Sequence, residues 1–196
     1  MRVKAGDVVY IKTNLYVCEE CSELIPEDEI KRHRNYCNGQ IRLYLRKGEA
    51  MEALDDGDVE DVEWEGGGQD CGLSEDWITT SKDETFYKFK RNDRTYYIVE
   101  VPKVDSDEAT VEIEGRQVNV ELNPNLCMTF EEVAEEYEWM VVVDGRRVVD
   151  TFASIVNLPV DDPSVLREIV GRATAADDAD VVKLSDLTYA VLYWTD

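Results

Sequence analysis

Histidine is almost absent: His33 is the only one in 196 residues. Nucleophile pairs such as Ser-His and Cys-His need an imidazole base, so chemistry of that kind has at most one place to occur. Positive charge is scarce as well. Lysine and arginine total 21 against 44 aspartates and glutamates, for a formal charge of −23. No apolar run approaches the length that spans a bilayer, and no signal peptide is evident. These absences point to folding in the cytoplasm and to no membrane partner. Only five cysteines occur, Cys18, Cys21, Cys37, Cys71 and Cys127, which suits a reducing interior. Apolar residues make up 43% of the chain, too many for disorder, and the length can bury a core in one large domain or two small ones.

The few soft ligands that exist are grouped. Cys18, Cys21, His33 and Cys37 make the spacing Cys-x2-Cys-x11-His-x3-Cys. Two thiolates three apart can grip a metal from a tight knuckle, and a His and a Cys four apart share one side of a helical turn. Three sulfurs and one imidazole suit Zn²⁺, and four protein ligands leave no position open for water or substrate. Such a site is structural. The intervening apolar residues agree with this. Tyr16, Ile25 and Ile30 fall where a knuckle packs on a short helix. Pro26 fits that helix's first turn, and Glu27, Asp28 and Glu29 place negative charge at its positive end. A disulfide between two of the cysteines would leave the His33 spacing unexplained.

On these residues, the segment at about 14–38 resembles a C2H2-type zinc finger in its C2HC variant. The resemblance implies a β-hairpin and one helix around zinc, held by Cys18, Cys21, His33 and Cys37. One spacing departs from the common pattern, since the stretch between Cys21 and His33 is a residue shorter. The acidic excess, spread along the whole chain, resembles proteins of salt-loving archaea and their viruses. Self-repulsion of that size strains a fold at low salt and is relieved where ions screen it.

Charge and periodicity divide the rest. Residues 1–50 hold nine basic and eight acidic side chains, whereas 51–196 hold 12 and 36. The expected organisation is a zinc-finger region with flanking strands over 1–50, an acidic glycine-rich loop over 51–82, and an α+β body over 83–196. Strands are expected at 8–11 and 40–46. Hairpins are expected around Asn92-Asp93, around Gly115-Arg116, and at the Asp-Gly turn of WMVVVDGRRVVDTF. Thr129 followed by Glu132 is a capping box opening a helix through about Trp139, and Pro163 opens another. VVKLSDLTYAVLYW ends the chain as one apolar-sided helix or strand. The fold class is α+β: an N-terminal zinc finger and a mainly antiparallel sheet with two or three helices.

Other motifs carry less chemistry. The stretch Lys82 to Tyr97 interleaves Lys88, Lys90, Arg91 and Arg94 with Phe86, Tyr87, Phe89, Tyr96 and Tyr97. That pattern can stack single-stranded bases, but alternation also explains it as one packed face and one solvated face. EGGGQDCG lacks the Lys-Ser/Thr ending of a phosphate loop and reads as a turn. Asp55, Asp56, Asp58 and Asp61 could loosely hold Ca²⁺ or Mg²⁺, yet lack calcium-loop spacing and suit a hydrated surface. Cys71 and Cys127 are expected to be buried free thiols.

Three functions compete on this reading. The first is a non-enzymatic, zinc-stabilised structural and assembly protein of a halophilic system, with other protein subunits as partners. A virion component of a haloarchaeal virus, such as a head–tail connector or tail protein, is its specific form. The alternative is a single-finger nucleic-acid-binding regulator using Lys31, Arg32, Arg34, Arg42, Arg46 and Lys47 on phosphates. Against that stand the acidic front of the finger helix and the small surface a single finger buries. An enzyme built on paired carboxylates is third, with nothing singling out a pair.

Overall fold

Alternation of apolar residues sets the strands of this chain, and residues able to adopt left-handed backbone set where the strands turn back. The computed structural model describes residues 1–65, 72–148, 151–158, 163–175 and 179–194, with backbone alone for Pro163 and 172–175. The chain divides into two compact units, Met1–Thr85 and Phe86–Asp196. Strands dominate both and all pair antiparallel, with short helices between them, so the α+β class is observed. Among the described residues, no helix is long and apolar enough to cross a membrane.

The first unit contains β1 (Arg2–Val3), β2 (Val8–Ile11), β3 (Leu15–Cys18), β4 (Leu24–Pro26), α1 (Ile30–His33), β5 (Ile41–Leu45), β6 (Ala50–Ala53), β7 (Gly57–Asp58), β8 (Trp64–Glu65) and β9 (Ile78–Thr79). They form a four-stranded sheet in the order β8-β6-β2-β9, a three-stranded sheet β4-β3-β5, and the pair β1-β7. Alternation is clear in β2, where Val9 and Ile11 are buried while Val8 is exposed. Ile11, Leu15, Leu45, Met51, Leu73 and Ile78 share one core. Full burial of each such side chain stabilises by about 1.5–3 kcal/mol.

The span 51–82 is therefore no plain loop. Met51 and Ala53 alternate with exposed residues and supply core positions, so this acidic stretch contributes β6, β7, β8 and β9. Its glycine-rich EGGGQDCG core and Cys71 lie largely outside the described residues.

The second unit contains β10 (Tyr87–Arg91), β11 (Arg94–Glu100), β12 (Glu108–Ile113), β13 (Arg116–Glu121), α2 (Phe130–Glu136), β14 (Trp139–Val143), β15 (Thr151–Asn157), α3 (Pro163–Ala175), β16 (Ala179–Lys183) and β17 (Thr188–Trp194). Six strands make one sheet in the order β10-β11-β14-β15-β17-β16, beside the separate hairpin β12-β13. Asn92 and Asp93 both have positive φ, at 50° and 60°, the double left-handed turn that matches strand twist. The second hairpin turns on Glu114 and Gly115, with φ of 50° and 71°, one residue earlier than Gly115-Arg116. One sheet face packs Tyr97, Val99, Met140, Val142 and Phe152 against Ile113 and Val120 of the hairpin and Phe130 and Val133 of α2.

Thr129 and Glu132 form the full capping box, but α2 ends at Glu136 because Trp139 starts a strand paired to Ala153. The Asp144-Gly145 turn closes the bridge Val143↔Arg146, whereas the main β14-β15 ladder runs in a different register, Met140↔Phe152. The C-terminal segment is two strands folded on Leu184–Leu187, not one element, since β16 pairs β17 from Ala179↔Tyr193 to Lys183↔Tyr189. Cys127 is exposed, contrary to expectation. It follows a turn closed by Leu126 N–H donating to the Asn123 carbonyl and has φ 49°, a surface-loop conformation.

Candidate metal centre

The knuckle forms where β3 ends. Cys18 closes that strand, Ser22 turns the chain with φ 58°, and the Ser22 amide donates to the Cys18 carbonyl at 2.9 Å. The Cys18 amide in turn donates at 3.0 Å to the carbonyl of Glu23, the residue before β4. Pro26 is the last residue of β4 and stands just before the first helical turn rather than inside it. Glu27, Asp28 and Glu29 occupy that turn, a short 3₁₀ segment leading into α1. Glu27 is buried there and accepts from Asn14 Nδ2 at 2.8 Å. His33 ends α1, and the Cys37 amide reaches back to the His33 carbonyl at 3.0 Å, so both face one side of a continued turn. Tyr16, Ile25 and Ile30 are all buried, as the finger-like packing requires.

These turns bring the four side chains together. The metal-ligating atoms of Cys18, Cys21, His33 and Cys37 all lie within 4.8 Å of one another. Cys18 Sγ and Cys37 Sγ are 3.6 Å apart, and Cys21 Sγ is 3.8 Å from His33 Nε2. A tetrahedral ion about 2.3 Å from sulfur and about 2.0 Å from nitrogen has edges of roughly 3.8 Å between sulfurs and roughly 3.5 Å from sulfur to nitrogen. Two edges of the cluster thus lie within about 0.3 Å of the span a four-coordinate ion needs. All three cysteines are free thiols, so the disulfide alternative does not hold. Cys18 and His33 are buried, Cys37 is half-buried, and Cys21 forms the exposed rim.

A second layer fixes the imidazole. His33 Nδ1 is 3.1 Å from Glu23 Oε2 and 3.2 Å from the Tyr36 hydroxyl. A carboxylate only accepts, so Nδ1 carries the proton and donates it, which leaves the Nε2 lone pair facing the sulfurs. Tyr36 also donates to Glu23 at 3.1 Å and sets its ring edge-on to His33 at 4.9 Å. Burial of that hydroxyl and the Glu23 carboxylate both hold the Tyr36 phenol above its ordinary range, so it remains a donor.

Thiol ionisation is divided unequally in the metal-free cluster. The Cys21 amide, helped by that of Glu20 and by His33, lowers the Cys18 thiol to about 6. The Gly39 amide also favours the Cys37 thiolate, but the Cys18 sulfur, burial and Cys21 outweigh it and push Cys37 up to about 11. Neighbouring sulfurs cannot both carry full charge without a cation between them. Gly39 approaches closely as well. A Cβ built there would stand 2.5 Å from Cys18 Sγ and 2.7 Å from Glu20 Cβ.

The basic residues proposed for phosphate contact are spread differently. Lys31, Arg32 and Arg34 are exposed around α1, while Arg42 and Arg46 are exposed on and after β5, with Lys47 half-buried. Arg42 faces Glu19 at 3.7 Å, and the Lys47 amide donates to Asn14 Oδ1 at 2.8 Å. Sequence reasoning missed Glu23, Tyr36 and Gly39. Their positions two after Cys21, three after His33 and two after Cys37 were the available signal. No protein-family model, curated protein or solved structure matches the chain. The Cys₃His cluster, compatible with a metal ion, therefore carries the functional reading by its own geometry.

Proposed function

We propose that this protein is a non-enzymatic structural and assembly protein whose N-terminal unit is stapled by Zn²⁺. The observation that supports this most is the donor set: three sulfurs and one oriented imidazole fill a tetrahedron and leave no corner for a substrate. Soft thiolates with a neutral imidazole select zinc over the hard cations that carboxylates prefer. The bound ion neutralises thiolates that repel one another, and its binding energy becomes folding energy for the segment that carries them. Its partners are other protein subunits. The −23 charge suits a salt-rich setting, of which a haloarchaeal virus particle, with this chain as a connector or tail protein, is the specific form we favour.

Elemental analysis of purified protein tests the staple. One zinc per chain is expected, and a fully folded protein with no transition metal would refute it. Chelation should remove amide protection from about residues 14–45 while the β10–β17 ladder keeps its own. Sedimentation at 0.2 and 2 M KCl tests assembly, and a monomer at both salts that captures no partner would overturn that part.

A second reading, a nucleic-acid-binding finger, draws on the exposed Arg32, Arg34 and Arg46. The acidic first turn at Glu27, Asp28 and Glu29 opposes it, because that is the end a finger presents to bases. A gel shift in molar salt that disappears in Arg32→Ala/Arg34→Ala protein would favour it.

A further inference from the structure

One region of the second unit departs from the acidity of the rest. Residues 86–196 carry 23 acidic and 11 basic side chains. A cavity of about 390 Å³ on its six-stranded sheet is nevertheless lined by Arg91, Arg94, Arg146 and Arg147, with no acidic side chain among the described residues of its lining. Three aromatic residues, Phe89, Tyr96 and Trp194, line it with them.

Strand register explains the gathering. Phe89 pairs with Tyr96 and Arg91 with Arg94, so these four side chains share one face of the β10-β11 hairpin. Tyr96 pairs with Val143, and the Val143↔Arg146 bridge turns Arg146 back to the same end of the sheet. Thr151 pairs with Trp194, which extends that face across β15 to β17. The expected division into one packed and one solvated face holds on β10, where Tyr87 is buried while Lys88 and Lys90 are exposed, and fails on β11, which is buried from Tyr97 through Val99. Lys88 shares its face with buried Tyr97, and the arginines share theirs with Phe89 and Tyr96.

Charge within the cavity is only partly satisfied. Arg91 is paired with Asp180, and Arg147 with Glu121. Arg94 and Arg146 are exposed and make no side-chain hydrogen bond or ion pair with any described residue. The rings are layered flat: Phe89 and Tyr96 stack at 5.1 Å with 8° between planes, and the Arg91 guanidinium lies 5.8 Å from the Phe89 ring centre. Trp194 is 39% exposed, so part of its indole is open to a ligand.

We infer that this face binds single-stranded nucleic acid, with bases stacking on the aromatic residues and phosphates held by Arg94 and Arg146. Two guanidiniums without an acidic partner among the described residues call for an anion that offers paired oxygens, which phosphate provides. The half-buried Phe89 and Tyr96 rings and the exposed Trp194 indole call for flat π-faces, which an acidic peptide lacks. β11 and β17 lie three strands apart, roughly 14 Å at about 4.8 Å per strand. That exceeds the span of one nucleobase, so both aromatic positions serve successive units of a strand rather than a free nucleotide. A duplex keeps its bases stacked on one another and offers no face to these rings. The site is independent of the metal centre and uses none of its residues.

Fluorescence anisotropy with a labelled 12-nucleotide mixed-sequence DNA strand tests this on the full-length protein, from 0.1 to 1 M KCl. Saturable binding is expected, with log K falling against log salt no more steeply than about −1.4, the slope for two neutralised phosphates on a single strand. Arg94→Gln/Arg146→Gln should weaken binding at least tenfold. Trp194→Ala should weaken it at least fivefold and Trp194→Phe much less, with circular dichroism unchanged. Cys37→Ala and Arg32→Ala/Arg34→Ala proteins should bind as the unmodified protein does, which separates this site from the finger. No binding by the folded protein at 0.1 M salt would overturn the inference. So would equal affinity in the cavity variants, equal affinity for a mononucleotide or a duplex, or loss of binding through the finger substitutions.

Discussion

Gly39→Ala removes no ligand and adds one carbon, yet it should break the metal centre. Gly39 does not use left-handed backbone, so alanine is acceptable there on conformational grounds. The difficulty is steric. The added Cβ would stand 2.5 Å from Cys18 Sγ and 2.7 Å from Glu20 Cβ, where ordinary contact begins at 3.4 Å. Restoring contact requires the Cys18 sulfur to move by about 0.9 Å, whereas ligand distances tolerate only about 0.2 Å. The sulfur has little room for that move, because Cys18 is wholly buried and hydrogen-bonded through its backbone on both sides of the knuckle.

Losing Cys18 leaves three of four donors. Structural zinc binds with about 10–16 kcal/mol, so an equal share per ligand is about 2.5–4 kcal/mol, or about 10²–10³-fold in affinity. Competition with a chromophoric chelator measures that ratio directly. Cobalt substitution adds an independent signature, since one fewer sulfur weakens the thiolate-to-metal absorption. Gly171→Ala, whose added Cβ meets nothing within 4 Å, controls for the substitution itself. Equal metal affinity and an unchanged cobalt spectrum in Gly39→Ala protein would refute the geometry, because no tetrahedron through Cys18 accommodates that carbon.

Other expectations follow from the same contacts. Glu23→Ala combined with Tyr36→Phe removes both partners of His33 Nδ1 and should cost about 10–100-fold in metal affinity, with each single change costing less because either partner can take that proton. Metal affinity should fall on acidification. Cys37, at about 11, keeps its proton through neutral pH and must release it on binding, so log K should rise by at least one per pH unit between 7 and 9. Cys18, at about 6, adds a further proton only below that value and should steepen the slope there; titration calorimetry in buffers of different ionisation heat counts the protons released. Thr129→Ala removes the oxygen that accepts from the Glu132 amide and half of the capping box, and should destabilise the second unit by about 1 kcal/mol in denaturant melts.

Local rules were legible in the sequence where they act within a few residues. The four candidate ligands were legible from spacing alone, because a knuckle and a continued helical turn constrain distance over two to four residues. The Asn92-Asp93 hairpin and the Thr129–Glu132 cap are local in the same sense. What escaped depends on partners distant in the chain. Met51 and Ala53 read as part of an acidic loop, and only pairing with β2 makes them core. The C-terminal segment read as one element because Leu184–Leu187 contains no glycine or proline to mark its turn. Gly39 became informative only once Cys18, 21 residues earlier, was found against it. The arginine cavity was illegible for the same reason, since Arg146 and Trp194 join Arg94 only through the sheet.

The distribution of buried residues decides how far a loss of metal is felt. The strand that carries Cys18 also carries Leu15, which belongs to the core of the four-stranded sheet together with Ile11, Met51 and Ile78. Leu45, at the end of β5, belongs to that core too, and Leu24 of β4 packs against it. Each strand of the small three-stranded sheet thus places one leucine in or against the main core of the unit. Without the ion, the end of β3 at Cys18 loses its tie to His33 and Cys37, while Leu15 holds the other end. The segment should fray from the ligand end, from Cys18 through α1 to Cys37, before Leu15 and Leu45 release. Hydrogen exchange of the chelated protein should show that gradient, with the Val17 and Cys18 amides losing protection ahead of the Ile11 amide, which bonds the Glu49 carbonyl at 3.0 Å. Simultaneous loss at all three would mean that the metal holds the whole unit, not only its knuckle.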